Sequence, residues 1–366
     1  MRKHPVEFRK EEAQDIVSRF KSAESCSLVG VGSVGKSNLL HHLTDPDVHT
    51  YYLGEQRASR LITVVIDPNL LGPTDESSLQ FKCWAGYELL MHRLFLALHP
   101  FDMLGEDAKS LGKTKRKLQD GSNPLYAYMG LRYFELGLEY FFRRDFQIVF
   151  LFDEFEELLR SMPVKFFQTL RGLRDTHKRN LSFLTFSREP IPVLIKNMGI
   201  DQLAIEPFTE LFTDNLMFVG PYNRDDAYAM VQSLMQRNPN VQYTNDAINF
   251  LLHVTGQYAG ILRAGFRALE MLGDIGPADM NNMNMIERMA RRLRVQSECE
   301  VIWKSLTDVE RNVLFAVASR RPDEIDDESE RAISMLVQKR LLRVNHQMQT
   351  LQIEPPVFNV YVKSLL

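Results

Sequence analysis

The sequence predicts an α/β protein with a parallel sheet core, followed by a helical region and a tail of helices and short strands. Short apolar segments with strand character alternate with helical segments as far as residue 219. Strands that alternate with helices are typical of a parallel sheet covered on both faces. After Gly220 and Pro221 the strand segments stop, and amphipathic helical segments follow one another.

Five strands and nine helices follow from the hydrophobic periodicity. The strands are predicted at 27–30, 61–66, 148–152, 181–186 and 216–219. The helices are predicted at 7–21, from residue 36, and at 81–98, 125–142, 164–176, 193–198, 224–237, 245–254 and 261–272. Residues 105–124, which include the basic stretch 109–117, are predicted to form a solvated loop, and residues 273–285 a linker. In the tail we predict a helix, a turn, a second helix at 329–340 and strands at 341–344 and 350–353.

Length and composition are those of an ordinary globular protein. The 366 residues include 44 Lys and Arg against 47 Asp and Glu, and 45% are hydrophobic. This length predicts roughly two or three domains. The net charge of −3 argues against a protein dominated by polyanion binding. The spacing of Cys26, Cys83 and Cys299 fits neither a disulfide framework nor a zinc cluster.

A soluble cytoplasmic protein is expected from the same pattern. No apolar segment typical of a secretory signal follows Met1. The apolar stretch 125–142 is interrupted by Arg132, Glu135 and Glu139, which excludes a simple membrane span and argues against a membrane partner.

A phosphate-binding motif lies between the first predicted strand and the helix that follows it. The pattern G-x-x-x-x-G-K-[ST] is matched by Gly30, Val31, Gly32, Ser33, Val34, Gly35, Lys36 and Ser37. Small residues let backbone N–H groups surround phosphate oxygens, and the helix directs its positive end at them. We therefore predict a site for ATP or ADP with Mg²⁺, in which Lys36 contacts the phosphates and Ser37 binds the metal. A chance glycine-rich turn is the alternative, but the strand and helix around the motif favour the phosphate loop.

Two acidic residues follow the strand predicted at 148–152. Asp153 emerges where ligands of open α/β sheets collect, and we predict that it supports Mg²⁺, directly or through another ligand. Glu154 is predicted to orient and activate the attacking water. The alternative is an acidic helix start, which the helix dipole also favours. Glu156 and Glu157 are predicted to be solvated helix positions.

Arg188 follows the strand predicted at 181–186. A cation at this strand end could contact the γ phosphate and distinguish ATP from ADP. The alternative is a surface arginine paired with Glu189.

The order of these motifs resembles the AAA+-related signal-transduction ATPases, the STAND class, and the initiator and origin-recognition ATPases that share much of that plan. Residues 219–227 resemble the junction between the last core strand and the lid, and residues 255–262 resemble the lid motif T-G-G-x-P-x-L-L. The motif's proline is Ala259 here. The resemblance implies a P-loop ATPase core of the ASCE/AAA+ type at 1–220, a helical lid at 221–295 and a winged helix at 296–366. It also implies a slow ATPase switch whose nucleotide state controls the lid and the winged helix.

The partner of such a switch would be an unidentified protein or a further copy of the chain. The alternative is a DNA-binding initiator or loader that uses the winged helix and the arginine-rich segment 288–294. Residues 300–366 contain nine Lys and Arg against ten Asp and Glu, and an acidic run at 323–328 precedes the predicted recognition helix. Such a charge balance repels phosphates, so nucleic acid is possible but not favoured.

Overall fold

The computed structural model describes residues 4–72, 78–98, 126–320, 327–345 and 350–366. The chain divides into two compact units. Met1–Val29 and Ser37–Met217 form the first unit, and Gly30–Lys36 and Phe218–Leu366 form the second. The predicted basic loop at 109–117 and most of the predicted acidic run at 323–328 lie outside the described residues.

The first unit is built on a five-stranded sheet. Its strands are β1 (Cys26–Val29), β2 (Leu61–Ile66), β3 (Gln147–Phe152), β4 (Leu181–Ser187) and β5 (Leu216–Phe218). They lie in the order β2-β3-β4-β1-β5, and the pairs β1–β4, β3–β4 and β2–β3 are parallel. β1 and β4 are buried along their whole length, as apolar runs in a sheet covered on both faces require. The predicted parallel α/β core is confirmed.

The register aligns the carboxyl ends of four strands along one edge of the sheet. Ile66 lies opposite Phe152, Phe152 lies opposite Thr185, and Val29 lies opposite Ser187. The residues that follow these strands therefore begin along the same edge, where open α/β sheets bind ligands.

Helices connect these strands and cover the sheet. They are α1 (Lys10–Lys21), α2 (Lys36–His42), α3 (Pro46–Leu53), α4 (Glu55–Ala58), α5 (Leu79–Ala97), α6 (Tyr126–Phe142), α7 (Phe155–Ser161), α8 (Val164–Thr176), α9 (Ile191–Met198) and α10 (Gln202–Thr209). The helices predicted from periodicity are present with ends within three residues of the expected bounds. α3, α4, α7 and α10 are shorter elements that the periodicity did not predict. Among the described helices, none is both long and apolar enough to cross a bilayer.

An aromatic cluster anchors the carboxyl edge of the sheet. The ring of Phe183 on β4 lies 5.8 Å from that of Phe152 on β3 and 5.9 Å from that of Phe208 on α10. Phe155, the first residue of α7, packs against Phe152 with a centroid distance of 5.9 Å. Burial of each such ring contributes about 2 kcal/mol. The turn at 153–154 is therefore held between two buried aromatic residues.

The second unit contains eight helices and one hairpin within the described residues. These are α11 (Arg224–Arg237), α12 (Asn245–Thr255), α13 (Ala259–Leu269), α14 (Met283–Ala290), α15 (Leu293–Lys304), α16 (Asp308–Ala318), α17 (Asp327–Gln338), the antiparallel strands β6 (Leu342–Asn345) and β7 (Thr350–Ile353), and α18 (Pro356–Lys363). Thr307 and Glu310 form a reciprocal capping box at the start of α16. The order from α16 to β7 matches the order predicted for the tail, and the winged helix itself stays a prediction.

The predicted linker at 273–285 is partly wrong, because α14 begins inside it. The side chain of Asn282 accepts a hydrogen bond from the backbone N–H of Met285 and so caps this helix. Met285, Ile286 and Met289 are buried on one face. The polar composition of residues 273–285 therefore did not indicate the start of α14, which is stabilised by packing.

Candidate functional site

A tight turn places Asp153 and Glu154 at the carboxyl edge of the sheet. The backbone N–H of Asp153 donates to the carbonyl oxygen of Ile66 at 2.9 Å, which extends the pairing of β2 and β3. Asp153 Oδ1 accepts a hydrogen bond from the backbone N–H of Glu154 at 3.0 Å. Glu154 has φ 42° and ψ 51°, a left-handed conformation that is uncommon outside glycine. Strain of this kind often marks functional positions.

Asn69 is a partner of Glu154 that the sequence analysis missed. Its side-chain amide donates to Glu154 Oε2 at 3.0 Å. Asp67 Oδ1 in turn accepts from both the backbone and the side-chain nitrogen of Asn69, each at 2.9 Å. The sequence could have indicated this partner, because Asp67 and Asn69 follow strand 61–66 just as Asp153 follows β3.

The negative charge of Asp153 acts on helix α2, which begins with the last residues of the phosphate-loop motif. Burial lowers the pKa of His41, and the negative charge of Asp153 opposes this shift. His41 lies about one helical turn after Ser37 on α2, so both face the same side of the helix. The two predicted Mg²⁺ ligands, Ser37 and Asp153, therefore belong to neighbouring elements.

The Ser37 hydroxyl and the Asp153 carboxylate suit a metal ion that is bound partly by the protein and partly by phosphate. No group of three or more His, Cys, Asp or Glu is arranged for metal binding in the part of the chain that the structure describes. Mg²⁺ in nucleotide sites commonly needs one or two protein oxygens, and phosphates and water supply the rest. A hydroxyl from Ser37 and a carboxylate from Asp153 fit this requirement.

Arg188, predicted to contact the γ phosphate, pairs with a residue predicted to be solvated. Its Nε lies 3.3 Å from Glu156 Oε1. Glu156 is only 7% exposed, so that prediction was wrong: α7 packs against β4 and α9 and encloses this side chain. Glu157 remains partly exposed and pairs with Arg160. Half of the Arg188 side chain is exposed, which leaves its guanidinium accessible.

The phosphate loop itself is curled around the side chain of its own lysine. Lys36 Nζ donates to the carbonyl oxygens of Gly30 and, at 3.3 Å, of Val31. Ser33 and Gly35 both have positive φ, at 61° and 96°. Alternating backbone conformations of this kind direct successive N–H groups into one concavity that favours anions. The backbone of the loop is therefore curled, and its role in binding phosphate stays a prediction.

The predicted lid motif contacts this loop within the second unit. The backbone N–H of Gly260 donates to the carbonyl oxygen of Ser33 at 2.8 Å. Ala259 is the first residue of α13, a position where proline is also favoured, so the departure from the family's motif preserves the helix start. The hydroxyl oxygen of the buried Tyr258 lies 3.1 Å from the carbonyl oxygens of both Lys339 and Arg340, which share its one hydrogen as acceptors.

Several basic residues of the second unit have partners within the chain. Lys339 Nζ lies 2.6 Å from Glu310 Oε1, and both side chains are at most 3% exposed. Arg291 pairs with Glu287 at 3.3 Å, and Arg288 donates to the carbonyl oxygen of Met271. Lys339 lies in the predicted recognition helix at 329–340, but its burial keeps it from contacting a phosphate at the surface.

Solved structures with the same fold are known, although their sequence identity is low. A Walker-type ATPase of Pyrococcus abyssi matches with a TM-score of 0.52 and 16% identity, over 97% of this chain and 95% of that chain. The ORC2 protein of Aeropyrum pernix, in ADPNP–ADP complexes, matches with a TM-score of 0.51 and 11% identity, over 98% and 93%. No protein-family model matches the chain, and no curated protein matches it. The chain therefore shares its fold with these two proteins, while membership of the STAND class stays a prediction.

Proposed function

We propose that this chain is an ATP-binding switch that hydrolyses ATP slowly. The observation that carries the proposal is the curled phosphate loop, in which Lys36 is held by the carbonyl oxygens of Gly30 and Val31. A cation over a concavity of N–H groups suits the β and γ phosphates of a nucleotide. The ADPNP and ADP in the similar Aeropyrum pernix structure support an adenine nucleotide.

Each site residue has a role that follows from its position and chemistry. Ser37 and Asp153 would hold Mg²⁺, which supplies positive charge to the phosphates when bound. Glu154 would accept a proton from the attacking water, since its carboxylate lies at the carboxyl edge of the sheet. Arg188 would contact the γ phosphate, and its pairing with Glu156 holds the guanidinium near that edge.

The switch would act through the second unit. Nucleotide would change the arrangement of a lid at 221–295 and a winged helix at 296–366 relative to a core at 1–220. A protein partner or a further copy of the chain would then bind one arrangement better than the other. A ligand shifts such an equilibrium only as far as it prefers one state, so turnover can remain slow in a switch.

Nucleotide titration and turnover measurements test this proposal. We expect Lys36→Ala to weaken ADP and ATP-analogue binding by about a hundredfold, because a charged contact to phosphate is lost. Glu154→Gln should retain binding and lower hydrolysis by about a hundredfold or more. Lys21→Ala, which removes an exposed lysine of α1, is the control and should leave both unchanged. The proposal fails if neither Lys36→Ala nor Glu154→Gln differs from wild type.

A DNA-binding initiator or loader is the second candidate function. The observation that favours it is Arg343 on the hairpin, which is 65% exposed and could reach a phosphate. The burial of Lys339 argues against a phosphate contact by this residue of the predicted recognition helix. Titration with duplex DNA at low salt decides between the two: Arg291→Glu with Arg292→Glu should weaken binding and reduce the salt dependence by about two counterions. No complex with DNA at low salt would remove this candidate.

A further inference from the structure

Helix α15 lies directly against the phosphate loop within the second unit. The hydroxyl of Ser33 donates to Glu298 Oε2 at 2.5 Å. The backbone N–H of Gly32 donates to Ser305 Oγ at 3.3 Å. Glu298 and Ser305 are separated by about two helical turns, so one face of α15 and the residue after it contact the loop.

Two glycines make this close approach possible. A Cβ atom on Gly32 would lie 2.4 Å from Val301 Cγ1 and 2.9 Å from the carbonyl oxygen of Val301. A Cβ atom on Gly260 would lie 2.1 Å from Glu298 Oε2. Real Cβ atoms do not approach other atoms so closely, and the Val301 carbonyl belongs to the helix backbone, so glycine at position 32 admits the helix. The Glu298 carboxylate could move aside, but a Cβ atom on Gly260 would also lie 2.8 Å from Ser33 Cβ, so glycine at position 260 admits the loop. The contact is therefore built into the sequences of both the loop and the lid motif.

Glu298 and a bound phosphate are both anions, and both would lie against the phosphate loop. The loop offers a lysine ammonium and a concavity of N–H groups, which favour an anion. The carboxylate of Glu298 is an anion that the same chain places on the loop. Phosphates bound there would bring like charges close to Glu298, and charges in a partly buried site are weakly screened.

We infer that Glu298 is an internal competitor for nucleotide and that α15 is a latch on the phosphate loop. This inference rests on the proposed function. When nucleotide binds, repulsion weakens the bond from Ser33 to Glu298 and favours release of α15 from the loop. Because α15 leads directly into α16, the occupancy of the loop would reach the tail through this helix. If nucleotide tightens the binding of a partner to the released tail by some factor, linkage requires that the partner tighten nucleotide binding by the same factor.

Glu298→Gln isolates the charge, because glutamine retains an oxygen that can accept from Ser33. Glu300→Gln is the matched control: Glu300 lies on the same helix, is half exposed and pairs with Lys304. In the full-length protein we expect Glu298→Gln to tighten ADP binding by about tenfold at low salt, and the binding of a non-hydrolysable ATP analogue by more. Most of the gain should persist in about 0.5 M salt, because charges at a partly buried site are weakly screened. Glu300→Gln should change either affinity by less than about twofold.

Hydrogen exchange supplies a readout that needs no measurement of affinity. Saturating ADP should speed exchange of the amides of 293–304 in the wild type, and Glu298→Gln should show faster exchange there without nucleotide. Equal affinities and equal exchange for Glu298→Gln and Glu300→Gln would overturn the inference and leave the proposed function standing. A different result would show that the proposed function itself is wrong: no variant, including Lys36→Ala, would then differ from wild type in nucleotide affinity. The inference about Glu298 would then be wrong as well.

Discussion

The side-chain amide of Asn69 donates a hydrogen bond of 3.0 Å to the carboxylate of Glu154. The two residues follow neighbouring strands, whose last residues Ile66 and Phe152 are paired in register. Glu154 also has a left-handed backbone conformation, which aims its side chain away from the path of the strand. The carboxylate proposed to activate water is therefore already held by a protein donor.

Removal of this donor should speed hydrolysis. An amide that occupies one carboxylate oxygen competes with the attacking water for Glu154, and a net hydrogen bond contributes about 1 kcal/mol. We expect Asn69→Ala to raise the turnover number about fivefold without a change in nucleotide affinity. Steady-state phosphate release with parallel binding titrations measures both quantities. Turnover equal to that of wild type would mean that this bond does not restrain Glu154. As a control, the double variant Asn69→Ala with Glu154→Gln should hydrolyse no faster than Glu154→Gln alone.

The position of Arg188 predicts discrimination between nucleotides. One charge-assisted hydrogen bond to the γ phosphate contributes about 1.5–3 kcal/mol. Arg188→Ala should therefore weaken binding of an ATP analogue by about tenfold or more, while ADP affinity changes little. Arg160→Ala, which removes an arginine that is 60% exposed and paired with Glu157, serves as the control. Equal losses for the ATP analogue and for ADP would contradict a role in sensing the γ phosphate.

The buried pair of Lys339 and Glu310 should be a strong determinant of stability. Removal of one partner leaves an uncompensated charge in the core, which costs about 3–5 kcal/mol. Lys339→Met should therefore lower the free energy of unfolding by about 3 kcal/mol. Lys304→Met is a matched control, because Lys304 pairs with Glu300 at the same 2.6 Å distance but is 67% exposed. Its effect should be below about 1 kcal/mol.

Chemical denaturation followed by tryptophan fluorescence measures this difference, since Trp303 lies close to α16 and packs against Phe315. The double variant Lys339→Met with Glu310→Leu should recover part of the lost stability, because no charge is then left unpaired. The recovery is incomplete because Glu310→Leu also removes the acceptor of the Thr307 backbone N–H in the capping box. Similar losses for Lys339→Met and Lys304→Met would contradict the buried ion pair.

Acid should destabilise the first unit through His49. Its side chain is 4% exposed, and its Nε2–H donates to the carbonyl oxygen of Leu43 at 2.7 Å. Burial lowers the pKa of His49 below 6.5, an effect that the bond to Leu43 and the charge of Asp45 only partly offset. The unfolded chain therefore binds a proton at a higher pH than the folded chain. The contribution of neutral His49 to the free energy of unfolding is fully present above pH 6.5. It is lost as the pH falls towards the lower pKa that His49 has in the folded state.

Melting temperatures measured from neutral to mildly acidic pH test this linkage. His49→Gln, which can still donate to Leu43, should reduce the decline in melting temperature below pH 6.5. It does not abolish the decline, because burial lowers the pKa of His42 in the same direction. His253→Gln replaces an exposed histidine and should leave the slope unchanged. An identical slope for His49→Gln and wild type would contradict this prediction.

The sequence by itself determined the elements whose signals are local. The apolar runs identified β3 and β4, and periodicity identified α8 and α11 with their observed bounds. Strands buried on both faces must be apolar throughout, and helices that cover a sheet need a repeating apolar face, so both patterns are written in neighbouring residues. The phosphate-loop motif is local as well, and its curled form agrees with its glycines.

Only the tertiary structure decided which side chains meet. Asn69 and Glu154 are 85 residues apart, and Ser33 and Glu298 are 265 apart. Glu156 reads as a solvated helix position, but packing of α7 against β4 and α9 buries it. Helix α14 begins in a segment whose polar composition favours a loop, but burial of four apolar residues stabilises the helix. Contacts between distant residues depend on strand order and helix packing, which periodicity within one segment does not encode.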